Sequence, residues 1–239
     1  MKRIGIVLWL LAPIAAHASN CSWDVVPANI NFGSYSAFSP NPVTATSAFG
    51  FTCTPNTTVT LTLSRGSSPT YNPRTMTTAG GTLNYNLFMD ASNTIVWGDG
   101  TAGTQFLTFV SSPGTRSDSG TIYATIPAGL NAASGSYTDT VQATLNYGSG
   151  TLTQFITITV TVSAACSVST ASLNFGAYDP VVTNAATPLD ATGTVNVYCT
   201  AGTPVTVLLD LGQHASGTTR RMLSGAANFL SYEVYKDAG

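Results

Sequence analysis

Charged side chains are scarce in this sequence of 239 residues, where they make up 8% against the quarter or so that is usual in soluble proteins. Eight residues are Lys or Arg and ten are Asp or Glu, and no basic cluster offers the positive charge that nucleic acid phosphates require. We therefore expect no nucleic-acid partner. Serine, threonine, glycine and asparagine are abundant instead. A surface of hydroxyl and amide groups suits an extracellular assembly whose copies pack without charge repulsion.

Groups for acid–base chemistry are also nearly missing. Beyond the first 18 residues the sequence has one histidine, His214, and one glutamate, Glu233, and the five aspartates of residues 19–163 are scattered. No G-x-S-x-G motif has a base to serve it, no D-x-D-x-D-G motif indicates calcium, and no close cysteine pair indicates zinc. The sequence thus predicts a protein that is not an enzyme and that holds no metal or cofactor.

Long apolar runs are absent, and the one short run lies at the N-terminus. Met1, Lys2 and Arg3 precede an apolar stretch over residues 4–16, and Ala16-His17-Ala18 places small residues where a signal peptidase cleaves. We predict a signal peptide over residues 1–18, whose removal leaves 6 basic residues against 10 acidic ones. No run approaches the roughly 18 apolar residues of a membrane helix, so we expect an exported protein without a transmembrane span.

Cysteines are few, and all four lie in the exported part as two pairs of similar spacing. Cys21 and Cys53 are 32 residues apart, and Cys166 and Cys199 are 33 apart. Such pairs in an oxidising compartment predict disulfides. We predict the bonds Cys21 to Cys53 and Cys166 to Cys199, each of which contributes about 3 to 4 kcal/mol on the chain-entropy model.

The two cysteine pairs belong to two copies of one domain. Residues 31–35 read NFGSY and residues 174–178 read NFGAY, and other matches have similar offsets of about 145 residues. This period is far longer than that of solenoid repeats, which is about 20 to 50 residues. We predict a first domain over residues 19–163 and a second over residues 166–239. Because the second copy stops shortly after the counterpart of Asp90, we expect it to be incomplete and the sequence to be part of a longer chain.

Alternating apolar and polar residues predict strands throughout both copies. The clearest stretch is TLTQFITITVTV at residues 151–162, with Leu, Ile and Val on one face and threonine on the other. Residues 137–147 alternate in the same way, and the glycines at 148 and 150 predict a hairpin turn between the two strands. No stretch has the 3.6-residue period of an amphipathic helix. We predict an all-β fold of two tandem immunoglobulin-like β-sandwiches, the second one truncated.

Three motifs in this order resemble the spore coat protein U domain family. They are a first cysteine followed by N-F-G-x-Y, a second cysteine some 20 residues later, and G-x-Y-x-D at residues 135–139. The resemblance implies secreted pili of the archaic, Csu-like chaperone-usher class. Subunits of that class lack one strand, which a periplasmic chaperone supplies first and an extension of the next subunit replaces. The implied partners are therefore the chaperone, the outer-membrane usher and a neighbouring pilin subunit.

A two-domain chain of this class resembles the tip subunit, with an N-terminal adhesin domain and a C-terminal pilin domain. The first domain owns the strand at residues 151–162 and should close its sandwich unaided, and Cys21 lies too near the expected cleavage site for a donor extension. We expect a tip subunit, exported through the periplasm to the cell surface, that attaches cells to an abiotic or host surface and supports biofilm formation. The alternatives are a structural pilin or spore-coat-like surface protein without a binding tip, and a secreted carbohydrate-binding module.

Apolar residues in polar loops are the candidate contact residues. Those in the segment 91–100 could form an exposed hydrophobic finger or, equally, a short core strand. Those in the segment 64–81, which is rich in Gly, Ser and Thr, could be exposed or could cover the open sheet. The candidates are Tyr71, Met76, Ile95, Val96 and Trp97.

Overall fold

A computed structural model describes residues 20–54, 58–110 and 116–236 of the chain. All regular elements of the described residues are β-strands, apart from turns and bends. The predicted signal peptide at residues 1–18 lies outside them. Among the described residues no helix is long and apolar enough to cross a membrane. The chain forms two compact units, Met1–Thr203 and Pro204–Gly239, and the predicted domain limits of 19–163 and 166–239 stay predictions.

The strands are numbered in chain order. The first unit contains β1 (Cys21–Val25), β2 (Ile30–Tyr35), β3 (Val43–Cys53), β4 (Thr58–Leu63), β5 (Arg74–Thr78), β6 (Gly81–Phe88), β7 (Leu107–Val110), β8 (Arg116–Ile126), β9 (Gly135–Asn146), β10 (Thr151–Val162), β11 (Cys166–Thr170) and β12 (Val195–Cys199). The second unit contains β13 (Arg220–Ser224) and β14 (Asn228–Tyr232).

Strands β1 to β10 form a sandwich around one hydrophobic core. One layer has the order β1-β3-β8-β6, and the other has β2-β10-β9 with β4 and β7 beyond β9. Strand β6 passes between the layers, since its residues 81–85 pair with β5 and its residues 86–88 pair with β8. The inward side chains of both layers are buried, among them Phe49, Leu61 and Val141. The predicted all-β, immunoglobulin-like fold is confirmed.

Strand β10 closes this sandwich. It pairs antiparallel with β9 along all 12 of its residues, from Thr151 opposite Asn146 to Val162 opposite Gly135. On its other side it pairs in parallel with β2, where Ile158 lies opposite Ile30. The predicted alternation holds in detail, because the Ile and Val side chains from residue 156 onward are buried while the intervening threonines point outward.

Both expected disulfides are present, and each joins residues that lie directly opposite one another on two antiparallel strands. Cys21 of β1 faces Cys53 of β3, with 4.2 Å between their Cα atoms. Cys166 of β11 faces Cys199 of β12, with 4.1 Å between their Cα atoms. The two copies therefore begin with the same disulfide-closed strand pair.

The second copy has fewer strands than the first among the described residues. It contributes β11, β12 and the hairpin β13–β14, in which Arg220 lies opposite Tyr232. Large apolar side chains remain exposed here, such as Val181, which is 79% exposed, and Leu208, which is 86% exposed. No layer of the described residues covers them, in contrast to the first copy.

The first prediction tests how much the sandwich depends on β10. Ile158→Ala removes buried methyl and methylene groups and should lower the free energy of unfolding by about 2 to 5 kcal/mol. Thr153→Ala, on the outward face of the same strand, should lower it by less than about 1 kcal/mol. Urea titration followed by tryptophan fluorescence measures both, since Trp23 and Trp97 lie in the sandwich. Equal losses for the two variants would contradict the central position of β10.

Candidate adhesive surface

Four of the five candidate contact residues lie on two neighbouring segments that Arg74 joins from beneath, and the fifth, Met76, lies in β5 itself. Arg74 begins β5, and its guanidinium is fully buried. Its Nη2 donates a hydrogen bond of 2.6 Å to the carbonyl oxygen of Trp97. Its Cζ lies 5.1 Å from the centre of the Tyr71 ring, within cation–π range. One side chain thus ties the segment 64–73 to the segment 89–106.

Arg74 donates three further hydrogen bonds to protein acceptors. Nε and Nη2 donate to the carbonyl oxygen of Ser64 at 3.1 and 2.9 Å, and Nη1 donates to Oδ1 of Asn86 at 2.7 Å. Burial lowers the pKa of Arg74, and the nearby Tyr85, Tyr71 and Asp139 act in the opposite direction. A buried guanidinium is tolerated only when its hydrogen bonds are satisfied, so these contacts fix the geometry of both segments.

Asp139 of β9 also holds the segment 64–73. Its Oδ1 accepts hydrogen bonds from the backbone N of Ser67 at 2.9 Å and from its hydroxyl at 2.8 Å. Its Oδ2 accepts from the hydroxyl of Tyr85 at 2.6 Å. Gly66 is required beside this carboxylate, because its φ is +66° and a Cβ there would lie 2.3 Å from Oδ2. The segment is therefore rigidly bonded to the sandwich.

Trp97 belongs to the core, which decides between the two interpretations of its segment. Its Nε1 donates to the carbonyl oxygen of Leu61 at 3.1 Å, and its ring packs edge-on against Phe49 with 5.6 Å between ring centres. Its backbone N donates to the carbonyl oxygen of Leu87 at 3.0 Å. An indole buried with its N–H satisfied is a stable core element. Trp97 is thus a core residue on an isolated β-bridge with Gln105 and not part of an exposed finger.

The other candidates divide by exposure. Met76 and Tyr71 are buried, Val96 is half-buried, and Ile95 is 36% exposed. For Met76 and Tyr71 the sequence allowed either exposure or burial against the sheet, and both are buried. β5 turns Met76 inward, and Arg74 holds the Tyr71 ring. Of the five sequence candidates, Ile95 alone is an exposed side chain.

Ile95 is held at the surface by a carboxylate turn. Asp90 Oδ1 accepts from the backbone N of Ile95 at 2.7 Å and from that of Thr94 at 3.1 Å. The carbonyl oxygen of Ile95 accepts from the backbone N of Met89 at 3.0 Å. The side chain is therefore presented from a fixed backbone.

Phe106 is an exposed aromatic residue in the same segment that the sequence did not identify. It is 38% exposed, and a Cβ on Gly100 would lie 2.7 Å from its ring. Phe106 therefore packs over a backbone that only glycine can provide. The closely spaced glycines at positions 98, 100 and 103 could have indicated this site from the sequence, since such glycines often mark a close approach of another group to the backbone.

The carboxylates of the segment 89–106 accept hydrogen bonds from within the segment. Two carboxylates in the segment serve its own backbone: Asp90 holds Ile95, and Asp99 accepts from the N and Oγ1 of Thr101 at 2.9 and 2.6 Å. The hydrogen bonds from Thr101 lower the pKa of Asp99. Over the described ranges, no group of three His, Cys, Asp or Glu residues could hold a metal ion.

The second prediction concerns Tyr85 at alkaline pH. Burial, followed by the nearby charge of Asp139, raises the pKa of Tyr85 above its ordinary value of 10.0. Because the folded pKa is raised, this group contributes its full stability below pH 10 and loses it as the pH rises further. The free energy of unfolding should fall by an additional amount of about 1.4 kcal/mol per pH unit.

Tyr85→Phe isolates this contribution. The variant should be less stable at neutral pH, because the Asp139 carboxylate loses a donor, but its stability above pH 10 should fall less steeply than that of the parent. Urea titrations between pH 8 and 11.5 measure both slopes. If stability fell equally steeply with pH in both proteins, the pKa of Tyr85 would be the same in the folded and unfolded states.

The structure thus defines an immunoglobulin-like sandwich that carries rigidly held surface segments. The model of the Spore Coat Protein U domain family matches residues 9–144 and 152–239, and the chain belongs to this family. It is similar to Protein U of Myxococcus xanthus, with 39% identity over 89 residues that cover 32% of this chain and 50% of Protein U. The chain therefore spans about half the length of that curated relative.

Solved structures with similar folds include pilus proteins. The CooA pilin subunit of enterotoxigenic Escherichia coli has 12% identity and a TM-score of 0.38, covering 62% of this chain and 99% of the pilin. The CupB6 tip adhesin of Pseudomonas aeruginosa has 12% identity and a TM-score of 0.40, covering 60% and 43%. The CsuC-CsuE chaperone–tip adhesion subunit complex of Acinetobacter baumannii Csu pili has 13% identity and a TM-score of 0.38, covering 77% and 72%. The fold assignment of this chain rests on its own strand pairing and not on these similarities.

Proposed function

We propose that this chain is a secreted subunit of an archaic chaperone-usher pilus and that it lies at the tip, where it attaches cells to surfaces and supports biofilm formation. The main support for this proposal is that β10, a strand of the same chain, closes the first sandwich between β2 and β9. An open sheet edge and an uncovered core are costly in water and accept a strand from another chain. A sandwich that is already closed needs no donor, which suits a domain at the end of a fibre.

The second copy has the opposite character and supports the role of a pilin domain. Its apolar side chains at Val181, Val182 and Leu208 are exposed in the described residues. Such a surface would be covered by a strand of the periplasmic chaperone and later by one from a neighbouring subunit, delivered through the outer-membrane usher. The predicted signal peptide supplies the route to the periplasm.

Attachment would use the apolar side chains that the segment 89–106 presents. Ile95 and Phe106 are exposed on a backbone fixed by Asp90 and Gly100, so little conformational freedom is lost on contact. Removing apolar area from water contributes about 25 cal/mol per Å². One tip would bind weakly, but many tips on one cell would hold it by multivalency.

The third prediction tests this contact. Ile95→Ser combined with Phe106→Ser should reduce cell attachment to polystyrene several-fold, because both exposed apolar side chains are lost. The number of assembled pili, counted by electron microscopy, should stay unchanged, because neither side chain is in the core.

Matched variants separate contact from misfolding. Phe155→Ser removes a side chain that is 60% exposed but lies on the outward face of β10, so attachment should stay at the parental level. Trp97→Ser should lower the number of pili, since Trp97 is core. Normal piliation with unchanged attachment in the Ile95/Phe106 variant would exclude this segment as the contact.

The fourth prediction tests the closed first domain. Residues 19–163 expressed alone in the periplasm should accumulate and unfold cooperatively without a co-expressed pilus chaperone, because β10 is included. A requirement for the chaperone would contradict a self-sufficient tip domain. Normal attachment of cells whose subunit lacks residues 19–163 would exclude the adhesin role and favour a structural surface protein without a binding tip.

A further inference from the structure

The junction between the first sandwich and the strand pair β11–β12 is bonded through one buried threonine. Thr200 directly follows Cys199 and is 1% exposed. Its backbone N donates to the carbonyl oxygen of Ala165 at 2.9 Å, and its Oγ1 accepts from the N of Ala165 at 3.0 Å. The hydroxyl proton is directed at the carbonyl oxygens of Ala165 and Ser163, at 3.1 and 3.4 Å. Thr200 therefore binds the linker after β10 at the N–H of Ala165 and at the carbonyl oxygens of Ala165 and Ser163.

The same arrangement occurs in the first copy, which identifies it as a property of the repeat. Thr54 follows Cys53, its N donates to the carbonyl oxygen of Asn20 at 2.9 Å, and its Oγ1 accepts from the N of Asn20 at 3.0 Å. In each copy the threonine after the second cysteine binds the residue before the first cysteine. In both copies the two cysteines lie directly opposite one another, and this register brings the threonine next to the residue before the first cysteine.

The second copy adds a contact to the sandwich. Asn131 Oδ1, in the loop at residues 127–134 between β8 and β9, accepts from the backbone N of Ala201 at 3.0 Å. Ala133 of the same loop forms a parallel bridge with Ala201. Residues 200 and 201 are thus bonded to the linker on one side and to the sandwich on the other.

The loop that provides Asn131 is itself fixed by two tyrosines. The hydroxyl of Tyr35 donates to the carbonyl oxygen of Pro127 at 3.0 Å and accepts from the N of Leu130 at 2.7 Å. The hydroxyl of Tyr137 donates to the carbonyl oxygen of Ala133 at 2.8 Å. Both rings are buried in the core. The position of Asn131 is therefore set by the sandwich.

We propose that Thr200 and Asn131 form a latch that makes the sandwich and the β11–β12 pair one rigid body. Domains joined by a short linker ordinarily move relative to one another unless their interface is large and apolar. Here the hydrogen bonds of the latch replace such an interface, and they set the angle at which the strand pair β11–β12 leaves the sandwich. The latch goes beyond the proposed pilus function and holds for any role of the chain.

The test uses the exported full chain and two NMR measurements. In the parent protein, ¹⁵N relaxation should give β11 and β12 the same rotational correlation time as β9 and β10, and the amides of Ala165 and Ala201 should be protected from hydrogen exchange. Asn131→Ala should accelerate exchange at Ala201, and Thr200→Val, which keeps the side-chain shape, should accelerate exchange at Ala165. The expected acceleration is several-fold, on the order of tenfold at most for one hydrogen bond. The double variant should also shorten the correlation time of β11 and β12.

Two control variants make the outcome specific. Asn131→Asp keeps the acceptor oxygen and should retain protection at Ala201. Thr54→Val removes the equivalent hydroxyl from the first copy and should accelerate exchange at Asn20 but leave Ala165 and Ala201 unchanged. Independent tumbling of β11 and β12 in the parent protein would overturn the latch. Unchanged exchange in both Asn131→Ala, which affects only an exposed side chain, and Thr200→Val would overturn it as well.

Discussion

The pairing of β10 between β2 and β9 is the constraint on which the first sandwich depends. A sheet with an open edge leaves backbone groups and apolar side chains exposed to water, and both are costly. β10 satisfies the free edges of two strands at once and buries Ile156, Ile158, Val160 and Val162. The second copy, which has no such strand among its described residues, keeps large apolar side chains exposed. The second copy has four strands among its described residues, against the ten strands of the first.

A closed sandwich can carry segments of irregular backbone, and here buried polar groups hold them. Arg74 and Asp139 lie on strands of the sandwich and bind the backbone of the segments 64–73 and 89–106 from beneath. Buried charges are expensive, but each is surrounded by hydrogen-bond partners whose positions it then dictates. Two side chains of the segment 89–106, Ile95 and Phe106, are apolar and exposed, Ile95 on a backbone that Asp90 binds and Phe106 packed over Gly100.

Periodicity and spacing predict much of this molecule, and contacts between distant segments account for the rest. The alternation at residues 151–162 predicted both the limits of β10 and its buried face, because a period of two over 12 residues has one interpretation. The cysteine spacing predicted the disulfides. Three residues at 95–97 have no readable period, and the burial of Trp97 depends on the carbonyl oxygen of Leu61, 36 residues away. Arg74 likewise reads as an ordinary loop charge, because its partners at Ser64, Asn86 and Trp97 are assembled only by the fold.

The direction of the hydrogen bonds of β10 has a mechanical consequence. These bonds lie across the strand, whereas the linker at residues 163–165 continues from its end. A pull through the linker along the strand axis therefore loads the pairs with β9 and β2 together, in shear, instead of opening them one after another from the end. Shear resists force better than unzipping, because many bonds must break in the same event. The strand that completes the core is thus also the element through which the first sandwich bears tension.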